Sequence, residues 1–371
     1  MIKFGDIKIG KVARKHIAEC LDKNEIACGS KVKLFEEKWA ALFGTKHAVA
    51  VSTGSAACIS ALLSLYKFGA KRGDKVIVPG LSFVATGTSV VFAGFEPVYC
   101  DIHENSLVID ESKLEDLIKK YKPVAVFPVT LMGNAYNAEA VKVLCEKYRV
   151  YLITDNCEGA GCQYNGKYIE SYSDMSVMSN YLAHLVIAGQ NGVCSCNDDD
   201  FRDAILSVRT HGRKPNQLYF DHELMGTNFL PSNLHASIGL EQIEDFQENF
   251  DIRKKNWQYL RDNLDKYSGV FNFADPLPNS LSSPHAFSMT LNRKSKIKFQ
   301  DFSDYIEKSG IEIKRNFGVM YEHGCLYSLG YNRICPNAEW VGNNGGHIGV
   351  HRYITQDDLE YIIETITGYF K

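Results

Sequence analysis

Three short segments of this sequence carry residue types that can do chemistry where strand-like runs end. Ser52-Thr53-Gly54-Ser55-Ala56 stands where the β-rich run HAVAVS (47–52) gives way to a helical pattern. Small residues there leave backbone N–H groups bare at a helix N-terminus, which suits a phosphate; ordinary N-capping asks for the same residues. Thr154-Asp155-Asn156-Cys157-Glu158-Gly159-Ala160-Gly161 closes the apolar run VYLITD (150–155). Parallel sheets bind ligands outside the carboxyl ends of their strands. A carboxylate at that place, Asp155, can hold a protonated cofactor ring nitrogen and keep the ring an electron sink, or it can cap a helix. The third segment is Ser179-Asn180-Tyr181-Leu182-Ala183-His184. Its histidine, beside Leu185, Val186 and Ile187, is either a hydrogen-bonded core residue or a group that moves protons near neutral pH.

The elements that must position these residues alternate in type. After Thr53, the residues Ile59, Leu62, Leu63 and Tyr66 recur at i, i+3, i+4 and i+7, one face of a helix. KVIVP (75–79), EPVYCD (96–101), VAVFPV (124–129) and VYLITD read as strands, with helical patterns after Phe83 and near 111–120 and 137–147. Two more β-rich runs lie near 174–179 and 192–197. This alternation predicts an α/β fold with a mostly parallel sheet flanked by helices. Beyond residue 250 a charged helix (250–266), a Pro- and Ser-rich stretch, the strand-like FSMTLN and a helix near 299–309 indicate a smaller α+β unit. The last helix carries Leu359, Ile362, Ile363 and Ile366 on one face, with Thr355 and Asp358 spaced as a capping box. The expected division is a large domain over 1–248 and a small one over 249–371.

The chain has 371 residues, enough for one large domain and a smaller one. With 41 Lys and Arg against 44 Asp and Glu, its net charge of −3 offers no basic field for nucleic acid or an anionic membrane. The longest uncharged run, 76–95, contains a Pro, three Gly and four Ser or Thr, and reads as folded core rather than a bilayer span. The opening MIKFGDIKIGK has no apolar signal-peptide core. Eleven scattered cysteines without zinc spacing suggest reduced thiols, a cytoplasmic address and no metal site.

Taken together, GSKVKLFEEKWAALFGTKHAVAVSTGSAA, VPGLSFVAT, ITDNCEGAG, the segment 179–192 and MGTNFLPSNLHASIGLEQ resemble, in order and spacing, the DegT/StrS-type sugar aminotransferases. These are pyridoxal-phosphate enzymes of the aspartate aminotransferase fold, and the resemblance extends to IEIKRNFG and GGHIGVHRYIT near the end. It implies roles residue by residue. Gly54, Ser55 and Ser179 match cofactor-phosphate binders. Asn228 matches an Asn that reaches the phosphate from the neighbouring subunit, which implies a homodimer with shared sites. Phe83 matches the aromatic stacked on the pyridine ring, Asp155 the partner of the ring nitrogen, and Glu158 the place of a Gln near the ring hydroxyl. Arg315 and His351 match positions facing the sugar-nucleotide or amino-acid cleft.

His184 is the departure that matters. Aminotransferases have at that position the lysine that binds the cofactor aldehyde, and no lysine lies between Lys167 and Lys214 to replace it. Imidazole has no primary amine, so no covalent link can form there. This substitution resembles the nucleotide-sugar 3-dehydratase branch, whose nearest type acts on GDP-4-keto-6-deoxymannose; DNCEGAG and Arg209-Thr210-His211-Gly212-Arg213 also look like that branch. The resemblance implies a cofactor held without a bond and aminated by an amino acid, glutamate. His184 would be the acid–base group in loss of a sugar hydroxyl. A second type in the branch binds an iron–sulfur cluster, but Lys214-Pro215-Asn216-Gln217 supplies no cysteine after Arg213. Leu185, Gln190 and Leu230 depart from the branch's polar residues. Two alternatives therefore stay open: a nucleotide-sugar aminotransferase or other reaction of the same cofactor without a lysine, and a catalytically degenerate homologue that binds nucleotide sugar.

Overall fold

The computed structural model describes residues 1–214 and 221–371. Residues 215–217, part of the segment lacking cluster-binding cysteines, lie outside the described residues. In chain order the strands are β1 (His47–Val51), β2 (Lys75–Pro79), β3 (Glu96–Cys100), β4 (Ala125–Val126), β5 (Tyr151–Asp155), β6 (Gln163–Tyr164), β7 (Lys167–Tyr168), β8 (Met175–Ser179), β9 (Gly192–Cys196), β10 (Phe271–Asn272), β11 (Ser280–Leu281), β12 (Ala286–Leu291), β13 (Ile313–Arg315) and β14 (Gly345–Gly349).

Seven of them form one sheet in the order β1-β9-β8-β5-β4-β2-β3. The pairs β2–β3, β2–β4, β4–β5 and β5–β8 are parallel, and β9 runs antiparallel to both β8 and β1. The sheet is thus mostly parallel, as the alternation of patterns predicts. Its strands are rich in Val and Ile because both faces are covered: Val76, Ile77, Val78, Leu152 and Ile153 are all buried. The strand expected over 124–129 is regular only at β4. Pro128 has no N–H to give a ladder, and the chain then turns through Leu131–Gly133.

The helix Gly54–Ser64 starts one residue after Thr53, whose Oγ accepts the Ala56 N–H at 3.0 Å. Val84–Phe92 likewise begins directly after Phe83. Two helices precede β1, Lys11–Asp22 and Ser30–Phe43; the second buries Val32, Phe35, Trp39 and Phe43 and ends on Gly44 at φ +66°.

The C-terminal part forms its own antiparallel sheet, β10-β12-β14-β13. Helices Phe246–Leu264, Phe299–Lys308 and Gln356–Tyr369 surround it over a core that includes Phe271, Phe287, Phe302, Ile348 and Ile362. The capping box at Thr355 is formed: Asp358 N–H donates to Thr355 Oγ at 3.2 Å, and Thr355 N–H to the Asp358 carboxylate at 2.9 Å. The expected boundary at 248/249 falls inside the helix Phe246–Leu264. A third sheet, β11-β6-β7, and the N-terminal residues link the two parts. β11 pairs with β6, and the chain's first residues join the C-terminal sheet, with Phe4 N–H donating to Glu312 at 2.7 Å. All eleven cysteines are free. Among the described residues no helix is long and apolar enough to cross a membrane.

Candidate active site

A cavity of about 560 Å³ opens where β1, β5 and β8 end. Gly54, Ser55, Phe83, Asp155, Glu158, Ser179, His184 and Arg315 line it, so eight residues chosen from separate segments meet in one cavity.

At one end the lining is main chain and small side chains. A Cβ on Gly54 would stand 2.5 Å from Ser179 Cβ, and one on Gly192 would stand 2.3 Å from the Thr53 carbonyl oxygen. The glycines are required by close approach, and the first N–H groups of the helix Gly54–Ser64 have no acceptor inside their own helix. Asn191, buried on the same wall, has both amide atoms unpartnered among the described residues. This floor fits an anion such as a cofactor phosphate.

Asp155 sits above the floor at the end of β5. It is buried; its carboxylate accepts the Thr86 hydroxyl at 2.7 Å and the Cys157 N–H at 3.2 Å. Among the described residues no cation stands within ion-pair distance, and burial raises its carboxyl from the usual range. A buried carboxylate without a counter-ion is costly, and a protonated ring nitrogen would offset that cost. Phe83 presents a ring 57% exposed at the cavity mouth, edge-on to Phe317 with centroids 6.2 Å apart. Its free face fits a planar heterocycle. The residues present therefore fit pyridoxal phosphate.

Past β8 the chain folds back on itself through Asn180, whose side-chain NH₂ donates to the Val186 carbonyl at 3.1 Å. This loop carries His184. Its ring lies against that of His285, centroids 5.2 Å apart, and its Nδ1 is buried without a partner among the described residues. Burial, with the neighbouring Arg253 charge, pushes the imidazole down to about 3, so it is neutral at physiological pH.

A model of the DegT/DnrJ/EryC1/StrS aminotransferase family matches residues 8–367. The chain belongs to that family. Its members are pyridoxal-phosphate enzymes that modify nucleotide-linked sugars. The chain is 27% identical over 375 residues to GDP-4-keto-6-deoxy-D-mannose 3-dehydratase of Escherichia coli O55:H7, covering 95% of this chain and 96% of that one. It is 28% identical over 358 residues to GDP-perosamine synthase of Caulobacter vibrioides, covering 95% and 94%. The E. coli GDP-4-keto-6-deoxy-D-mannose-3-dehydratase with bound hydrated PLP superposes with a TM-score of 0.91 at 25% identity, over 99% of each chain.

In this family member two of the ten candidate residues lie off the cavity. Asn228 is exposed, and its side chain accepts the Leu230 N–H at 3.2 Å. His351, expected to face the cleft, is instead buried past the end of β14 and serves the main chain. Its Nε2 is 3.1 Å from the Lys3 carbonyl oxygen, and its Nδ1 accepts the Tyr353 N–H at 3.3 Å. Arg315 lines the wall, with its guanidinium donating to Gln300 at 3.2 Å.

The wall also holds residues that the motifs did not flag: Phe4, His285, Lys314, Phe317 and His347. His347 lies in the quoted GGHIGVHRYIT segment, and alternation along β14 was the signal available for it. Arg253 is a further one. Buried on the helix Phe246–Leu264, it donates to the carbonyls of Ala183, His184 and His285 at 3.2, 2.8 and 3.4 Å. It thereby fixes the His184 loop against the C-terminal part.

Proposed function

We propose that the protein is a 3-dehydratase of a nucleotide-linked 4-keto-6-deoxy sugar, working with pyridoxamine phosphate held without a covalent bond. The observation that carries this reading is His184. An imidazole held neutral lines the cavity and, by the resemblance, stands where the family's aminotransferases place an amine. When bound, the cofactor supplies a primary amine for the sugar ketone and a ring that accepts electrons.

The chain's own residues divide the remaining work. Gly54, Ser55 and Ser179 hold the phosphate, with Asn228 contributed by the neighbouring subunit of a homodimer. Phe83 covers the ring face. Asp155 keeps the ring nitrogen protonated, and Glu158 stands at the ring hydroxyl. His184 takes a proton from the carbon next to the ring, as a neutral base within reach of the cavity. Arg315 offers a planar cation to a phosphate or carboxylate, a geometry suited to the nucleotide or to glutamate as amino donor. The site is cytoplasmic on this reading, where nucleotide sugars and reduced thiols coexist. The name of the E. coli relative, which specifies a 3-dehydratase, supports the assignment.

The test is incubation with glutamate, cofactor and GDP-4-keto-6-deoxymannose. Release of ammonia and 2-oxoglutarate together with a 3-deoxy sugar is expected. A stable amino sugar without free ammonia would overturn the proposal in favour of an aminotransferase, the reading that the likeness to GDP-perosamine synthase favours.

A further inference from the structure

His184 is not alone on the wall. His285, 5% exposed just before β12, brings a second imidazole against it, and its Nδ1 too is buried without a partner among the described residues. His285 Nε2 lies 3.8 Å from Glu158 Oε1. The second oxygen of Glu158 is already committed, accepting the Met132 N–H at 2.7 Å. The Glu158 oxygen nearest His285 is therefore the one free to carry a proton. All three groups line the cavity. Leu185, next to His184, is packed into an apolar cluster and offers no proton.

We propose that Glu158 and His285 hold one proton between them and form the second half of the acid–base machinery, Glu158 as its source and His285 as its carrier toward the oxygen that leaves the sugar. The inference rests on the dehydratase reading. Hydroxide is a poor leaving group at neutral pH, and protonation in the transition state removes that difficulty. The step balances: the C–O bond breaks, its electron pair stays on oxygen, and the pair's proton completes a water molecule. The proton collected by His184 offsets the one given up by the pair, and exchange with solvent at the cavity mouth resets both groups.

The surroundings set where the proton rests. His285 faces His184 from the loop after β8, Arg253 from the helix Phe246–Leu264, His347 from β14 and Lys314 from β13, while Glu158 faces Asp155. Burial and these positive or neutral neighbours hold His285 well below its usual range, and burial pushes Glu158 up to about 8. At neutral pH the proton therefore sits on the carboxyl, ready to leave. Catalytic contacts that are long without ligand often tighten when one orders the site, and the proposal requires this of the 3.8 Å separation.

The test uses full-length protein labelled with ¹⁵N at its histidine rings, without cofactor and with pyridoxamine phosphate. The His285 ring should show a step near pH 8 that disappears in Glu158→Gln. A His285 signal that stays flat from about pH 6 to 9.5, or a step that survives in Glu158→Gln, would overturn the pair. Should His285→Gln fail to fold, wild type and Glu158→Gln decide by whether any ring loses its step. In single turnover, His285→Gln should slow dehydration by roughly 100-fold. Amination by glutamate, which breaks no sugar C–O bond, should change far less. Equal slowing of both reactions would assign His285 a structural role. A wild type that makes no deoxy sugar would sink the dehydratase reading while the ring titration still tests the pair.

Discussion

The two ends of the cavity are built from different materials. The floor around Gly54, Ser179 and Gly192 is made of backbone and small residues pressed together until a single Cβ would collide. The other end is made of side chains, His184, His285 and Glu158, carried by a loop, the residue before β12 and a turn, the two histidines held by the buried Arg253. A grip made of backbone depends little on side-chain identity, so it is compatible with many reactions. The other end depends on which titratable group arrives, and under the proposed function that group is His184. Binding and chemistry should consequently separate under mutation.

The sharpest break is at His184. His184→Gln should lower dehydration by about 10²–10⁴-fold, the range of a lost general base, while cofactor affinity stays within a few-fold. His184→Lys should attach the cofactor covalently, read by mass after borohydride reduction, and should abolish dehydration. If His184→Gln loses affinity as steeply as rate, the two ends are one unit and the contrast fails.

Arg253 comes next. Arg253→Met leaves three buried carbonyls, those of Ala183, His184 and His285, without their donor. The cost should be about 3 kcal/mol in a urea titration, accompanied by loss of dehydration and retention of weak cofactor binding. Arg253→Lys can serve only part of that set, because a point charge does not reproduce the guanidinium fork. An unchanged midpoint would show that the loop is held by other contacts.

How much of this was readable beforehand follows from which contacts are local. The helix after Thr53, the capping box at Thr355 and the carboxylate ending β5 depend on residues within a few positions of one another, and they stand as the patterns indicate. His285, Lys314 and Arg253 join the site by strand pairing and helix packing across 30 to 130 positions, and no local spacing marks them. Arg253 in particular sits in FDIRKKNW, where charge suggests a solvated face, yet it is 2% exposed. His347 and His351 illustrate the same limit at close range. Both lie in one segment, but only the one inside β14 reaches the cavity.

A pH experiment examines the support beneath the side-chain end. Asn156, next to Asp155, donates to the buried Glu170 carboxyl at 2.8 Å, and the other oxygen of Glu170 has no partner among the described residues. Burial pushes Glu170 up to about 7 from 4.5. The folded chain then binds more protons than the unfolded one between those values, so wild-type stability falls as pH rises from about 4.5 to 7 and levels off above. Glu170→Gln lacks this slope. Its advantage over wild type should grow by roughly 3 kcal/mol across that window, read from paired denaturation curves. A gap that does not change with pH would mean that Glu170 is ionised in the folded state.

The smallest expected effect belongs to the floor. In Gly54→Ala the added methyl would lie 2.5 Å from Ser179 Cβ and 2.8 Å from its hydroxyl oxygen. Gly54 is the first residue of a helix, where alanine has no backbone penalty; the substitution acts only by crowding, which costs roughly 1–3 kcal/mol in a packed site. Some of that is relieved by a shift of Ser179 at the end of β8. The expected result is about a tenfold loss of cofactor affinity, followed by fluorescence. The dehydration rate at saturating cofactor should stay near that of wild type, because nothing at His184 has moved. The double variant Gly54→Ala with Ser179→Gly should recover part of the affinity if crowding is the cause, since the colliding Cβ is then removed. Were the double variant weaker still, the Ser179 hydroxyl would outweigh the fit of the backbone, and the floor would depend on side chains after all.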